Sequence, residues 1–123
     1  MEFFREIEAG RGEAWIRDEV TIEALPRFCA EIEKVLEANG DEGRIWCLWG
    51  GFRIRRENIR GGVRFSLPDC PNAFVWTITT GLPPRPDDTV IHATINRREH
   101  DPDFIESLHM FLDAWEDGLG RAM

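Results

Sequence analysis

Residues 45–67 read IWCLWGGFRIRRENIRGGVRFSL. Apolar and basic side chains alternate almost one for one through this stretch, the period of a half-buried β-strand and not that of a helix. Gly50-Gly51 and Arg60-Gly61-Gly62 interrupt the alternation. The pattern therefore predicts strands over 45–49, 52–56 and 63–67, joined antiparallel by tight turns. Gly50-Gly51 fits either a two-residue hairpin or a glycine bulge inside one longer strand.

Working outward, 74–80 and 89–96 continue the alternation, set off by Pro-stiffened loops over 67–72 and 82–88. Upstream, Leu25, Phe28, Cys29, Ile32, Val35 and Leu36 recur at spacings of three and four, with Glu31, Glu33, Lys34 and Glu37 between them. That spacing predicts an amphipathic helix with Pro26 in its first turn and a stop at Asn39-Gly40. Near the other end, Asp101-Pro102 reads as an N-cap and first helical position. Phe104, Leu108, Phe111, Leu112, Trp115 and Leu119 then form an apolar stripe closed by Gly118 and Gly120. In the first twenty residues Phe3, Phe4 and Ile7 fit a short helix, and Trp15, Ile16 and Val20 need a buried place. The expected architecture is a single α+β domain over 1–123. It is a two-layer sandwich: an antiparallel four- or five-stranded meander with an N-terminal-half helix and a C-terminal helix on one face.

Alternation also assigns the faces. Cys47, Trp49, Phe52, Ile54, Val63, Phe65, Leu67, Phe74, Trp76, Ile78, Ile91, Ala93 and Ile95 share the face that should lie under the helices. Trp46, Leu48, Arg53, Arg55, Arg64, Val75, Thr77, His92 and Thr94 share the other. A tight Gly50-Gly51 hairpin would set Trp46 opposite Arg55 and Leu48 opposite Arg53, with Arg64 joining from the next strand. A slip of one residue would exchange the faces.

Charge sharpens this picture. The chain carries a net −8 over 123 residues, yet 43–68 holds six Arg against one Glu. Three arginines on one sheet face repel, so something negative should compensate them. Helices packed on the apolar face reach the polar one poorly, which leaves a small anion, an acidic protein segment or a second copy of the chain. A solvated face that keeps the sheet from aggregating is the plain alternative. Trp46, Arg53, Arg55, Arg64 and His92 are thus the candidate binding residues. The leading expectation is a small non-enzymatic interaction domain, homodimeric or docking an acidic partner. The alternative is a small enzyme or ligand-binding domain that holds a carboxylate or phosphate on the same face, with His92 as acid–base group. Nucleic acid is disfavoured by the acidic balance.

Other chemistries lack their motifs. Cys29, Cys47 and Cys70 are widely spaced and include no C-x-x-C pair, so no metal site and no cofactor are expected. Cys29 and Cys47 fall on apolar faces and read as packing thiols, whereas Cys70 lies between prolines in a loop. Glu106 and His109 have the spacing of a Glu-x-x-His half-site but no second copy. Phosphate-binding loops, dinucleotide fingerprints and H-E-x-x-H are absent. No apolar run approaches the roughly 20 residues that span a bilayer, and the first residues lack the layout of a signal peptide. A cytoplasmic location without membrane contact is expected.

Overall fold

The computed structural model describes residues 1–8, 10–96 and 101–123. In chain order the elements are β1 (Glu2–Ile7), α1 (Glu13–Glu19), α2 (Leu25–Phe28), β2 (Ile32–Asn39), β3 (Glu42–Cys47), β4 (Gly50–Ile59), β5 (Gly62–Ser66), β6 (Val75–Thr80), β7 (Thr89–Thr94) and α3 (Pro102–Ala122). The strands form one antiparallel sheet in the order β1-β7-β6-β5-β4-β3-β2. The meander is as expected and longer: seven strands instead of four or five.

Both additional strands come from segments that helical spacing seemed to claim. Phe3, Phe4 and Ile7 belong to β1, which pairs with β7. The helix expected over 25–36 is one turn, α2, and from Ile32 the chain becomes β2. Two register shifts along β2 explain the misleading period. Each bulge adds one residue to the alternation, so buried Ile32 and half-buried Val35 fall three apart while still facing inward. Asn39-Gly40 is not a helix stop. It enters the β2–β3 hairpin, with Gly40 at φ +66°.

The β3–β4 connection also differs from expectation. The two turn residues are Leu48 and Trp49, and Gly50 begins β4 at φ +108° opposite Cys47. Trp46 consequently faces Gly51, and Arg55 faces Glu42. The pairing is displaced by an even number of residues, so the two faces survive as predicted. Every residue assigned to the inner face is buried except Trp49 and Phe52, which are half-buried.

All three helices pack on that inner face. On α3 the stripe Leu108, Phe111, Leu112, Trp115 and Leu119 is fully buried, and Asp101 caps the helix by accepting a bond from the Asp103 N–H. The helix runs through Gly118 and Gly120 instead of ending there. Gly118 serves close approach: a Cβ there would lie 2.0 Å from the Phe28 carbonyl oxygen of α2. Between α3 and the sheet the space is filled with rings. Trp76 stacks on Phe65 and Phe74 with centroids 5.3 and 5.2 Å away, and Phe111 meets it edge-on at 5.1 Å.

One charged residue breaks the inner-face pattern. Arg56 follows Ile54 on the buried side of β4 and is only 7% exposed. Its guanidinium donates to the carbonyls of Val20 and Arg17 and to Asn58 Oδ1, and Asp41 lies 3.5 Å away. It thereby satisfies the carbonyls at the end of α1 and pins that helix to the sheet.

Candidate functional site

The face opposite the helices carries the expected site residues in lateral rows, because antiparallel partners on neighbouring strands point the same way. One row runs Phe4, His92, Thr77, Arg64, Glu57 from β1 to β4. The next holds Thr94, Val75, Ser66, Arg55 and Glu42. Arg53 lies further along, opposite Arg44.

Each of the three arginines meets an acid within the chain. Arg53 forks onto Asp69 of the β5–β6 loop, Arg55 reaches Glu42 at 3.4 Å, and Arg64 pairs with Glu57. The compensating charge expected from outside is supplied by neighbouring strands and a loop, not by the helices. Arg44, Arg53 and Arg55 line a hollow of about 210 Å³, but Glu37 and Glu42 share its wall, so it carries little net charge. Trp46 is 44% exposed and lies against Gly51, where a Cβ would come within 3.4 Å of its ring.

His92 is in a different setting. Its Nε2 lies 3.0 Å from Glu2 Oε1, and its ring stacks on Phe4 with centroids 4.5 Å apart and planes 11° off parallel. It lines a hollow of about 560 Å³, within the range of small-molecule sites. Thr77, Thr79 and Val90 form the floor, and Leu82, Pro83 and Pro84 of the β6–β7 loop form the roof. This loop is a strap folded across the outer face. The Gly81 N–H donates to the Pro86 carbonyl and Thr80 Oγ1 to the Asp88 carbonyl, closing its base. Arg85 ties it across to Glu6 of β1 at 3.5 Å. Leu82 rests on Gly61, whose φ of +87° makes the β4–β5 turn and puts Arg60 at the rim. In sequence 82–88 reads only as a stiff loop; Leu82 among three prolines is the one sign that it covers something apolar.

A third hollow, about 210 Å³, opens beside the first turns of α3 between Trp49, Phe52, Cys70, Phe74 and Phe104. Trp49 Nε1 donates to Ser107 Oγ at 2.8 Å, fixing the β3–β4 hairpin to the helix. Cys70 is half-buried there, whereas Cys29 and Cys47 are buried in the core, as their positions predicted. Burial pushes the Cys29 thiol up to about 12 and raises that of Cys47. Among the described residues no cluster of His, Cys, Asp or Glu could hold a metal ion, and no helix is long and apolar enough to cross a membrane.

No family model matches the chain, and no curated protein matches it in sequence. Its fold is nonetheless shared with solved structures. Protein XoxI from Bacillus cereus superposes with a TM-score of 0.65 at 16% identity, over 99% of this chain and 93% of that one. A START superfamily protein from Mycobacterium smegmatis gives 0.62 at 16% identity, over 100% and 98%. The di-domain ARO/CYC StfQ of the steffimycin biosynthetic pathway gives 0.62 at 12% identity, over 99% of this chain and 45% of that one. The chain thus has a START-like fold, seven antiparallel strands gripped by a C-terminal helix.

Proposed function

We propose that this chain is a small-molecule-binding domain whose ligand lies between the proline-rich strap and the outer face of the sheet. The observation that carries the reading is the 560 Å³ hollow itself, roofed by Leu82 and floored by Val90, Thr77 and Thr79. The fold shared with a START superfamily protein and with the di-domain ARO/CYC StfQ of the steffimycin biosynthetic pathway supports a small binding domain. His92 serves here to shape the end of the site: Glu2 occupies its Nε2 and Phe4 covers its ring. Binding, not turnover, is the activity this arrangement supports.

A native mass spectrum of the gently purified protein tests this reading, together with Val90→Trp, which fills the floor. The expected result is a monomer carrying a small additional mass that Val90→Trp loses. An added mass that persists in Val90→Trp and in a second filling variant, Thr79→Trp, would place the ligand elsewhere.

A second reading keeps the β2–β4 end of the same face as a contact for an acidic segment or a second copy of the chain. It is supported by the 44% exposure of Trp46 and by Arg44, which has no acid within 4 Å among the described residues. A clean dimer mass that Trp46→Ala abolishes is its expected signature.

A further inference from the structure

Building on the strap site, we infer that its ligand is an amphipathic oxyanion, with the charged end on Arg60 and the apolar body between Leu82 and Val90. The first ground is charge accounting around the hollow. Most arginines elsewhere among the described residues are matched: Arg5, Arg17, Arg27 and Arg121 each face a carboxylate within 4 Å, as do Arg53, Arg55 and Arg64 of the sheet. Arg44 has no such acid but lies away from this hollow, and Arg11 lies over the Trp15 ring. The Arg60 side chain has no ion pair or hydrogen bond with any described residue, yet it lines the 560 Å³ hollow. The acid lining that hollow, Glu6, is already engaged by Arg85, and Arg85 has Asp88 as a second partner at 3.6 Å. What remains uncompensated is one guanidinium.

The second ground is placement. The β4–β5 turn cannot move Arg60 away freely, because Gly61 is held in its left-handed conformation with Leu82 packed on it. Cation and roof are therefore adjacent. The walls leading away from Arg60 are apolar at Ile59, Leu82 and Val90, while Thr77 and Thr79 offer hydroxyls with no partner among the described side chains. A guanidinium fork next to a greasy slot selects a molecule with both properties.

Two related fluorescent probes separate this claim from the reading beneath it. Anilinonaphthalene sulfonate carries the oxyanion; phenylnaphthylamine has the same ring system and none. Val90→Trp should abolish binding of both. Arg60→Gln should weaken the sulfonate by about tenfold, the effect of one charged hydrogen-bonding contact, and leave the neutral probe within about twofold. Decanoate and decyl phosphate should each displace the sulfonate probe from the wild type, their order telling a carboxylate from a phosphate ligand, and decanol should compete far more weakly. If Arg60→Gln affects both probes equally, or neither, while Val90→Trp still blocks them, the oxyanion inference is overturned and the site stands. Probes that do not bind, or that bind Val90→Trp and Thr79→Trp unchanged, overturn both.

Discussion

Arg53 holds Asp69 through both carboxylate oxygens, with Nε 2.8 Å from Oδ2 and Nη2 3.1 Å from Oδ1. The contact joins β4 to the loop after β5 and removes from circulation a cation that the sequence offered to an outside partner.

Because the hydrogen bonds and charge of Arg53 stabilise the ionised form, the Asp69 carboxyl titrates below its ordinary value of 3.8. A depressed native value means the pair contributes stability above about pH 3.8 and loses it as pH falls through the native value. In Arg53→Gln the Asp69 midpoint, followed by carboxyl NMR, should rise toward 3.8. An unchanged midpoint would mean the fork does not persist in solution.

Alkaline stability should report on the buried thiol. The chain has no Tyr and a single Lys, so few other groups titrate between pH 9 and 12. Cys29 is raised from 9.0 to about 12 by burial, so its contribution is complete below pH 9 and is lost as pH rises toward 12. The fall in denaturant midpoint above pH 9 should be smaller in Cys29→Ala than in the wild type. Native iodoacetamide labelling at pH 8 should modify Cys70 and spare Cys29 and Cys47.

Two glycines of α3 should respond with opposite signs. Gly118→Ala forces a methyl to within 2.0 Å of the Phe28 carbonyl, and overpacking of this kind costs about 1–3 kcal/mol net of any helix-propensity gain. Gly120 has nothing within 4 Å, so Gly120→Ala should stabilise by a few tenths of a kcal/mol, up to about 1. Urea titrations of the pair decide it, and equal effects would refute the close-approach account.

Trp115 is fully buried among Phe65 and Trp76, and its indole N–H has no hydrogen-bond partner among the described residues. Trp115→Ala should cost about 3–5 kcal/mol in a denaturant titration. Trp115→Phe keeps most of the ring contact and deletes an unsatisfied donor, so its cost should be less than half as large.

Reading the sequence worked where one physical signal dominated. Strict alternation places nearly every residue of β4 to β7 on the correct face, and the α3 stripe stands out because Asp101-Pro102 and six regularly spaced apolar residues agree. It failed where two signals compete. The bulges of β2 give Ile32 and Val35 a helical spacing that continues that of Leu25 and Phe28 in α2, and Asn39-Gly40, a strong hairpin signal, reads equally as a helix end. Arg56 was invisible because it extends an arginine run whose neighbours point outward. Of the expected site residues, His92 lies in the strap hollow, Arg53 and Arg55 line the one they share with Glu37 and Glu42, and Trp46 and Arg64 line neither. Arg60 is not legible as a candidate in sequence, because only the fold of 82–88 over the sheet brings it to the edge of that hollow.

The sheet order also sets a schedule for assembly. From β2 to β7 every strand lies beside the next one in the chain, so those hairpins can zip one after another at small loop-closure cost. β1 pairs only with β7, Phe4 with His92, and the Met1 amine reaches the Ile95 carbonyl across 94 positions. Of these seven strands, β1 must therefore wait for β7, and until it docks, β7 keeps an open edge. The side of the strap hollow at Phe4 and Glu6 is completed only by that final step. The hollow proposed to hold the ligand should thus be completed in the slowest folding phase, after most of the secondary structure has formed.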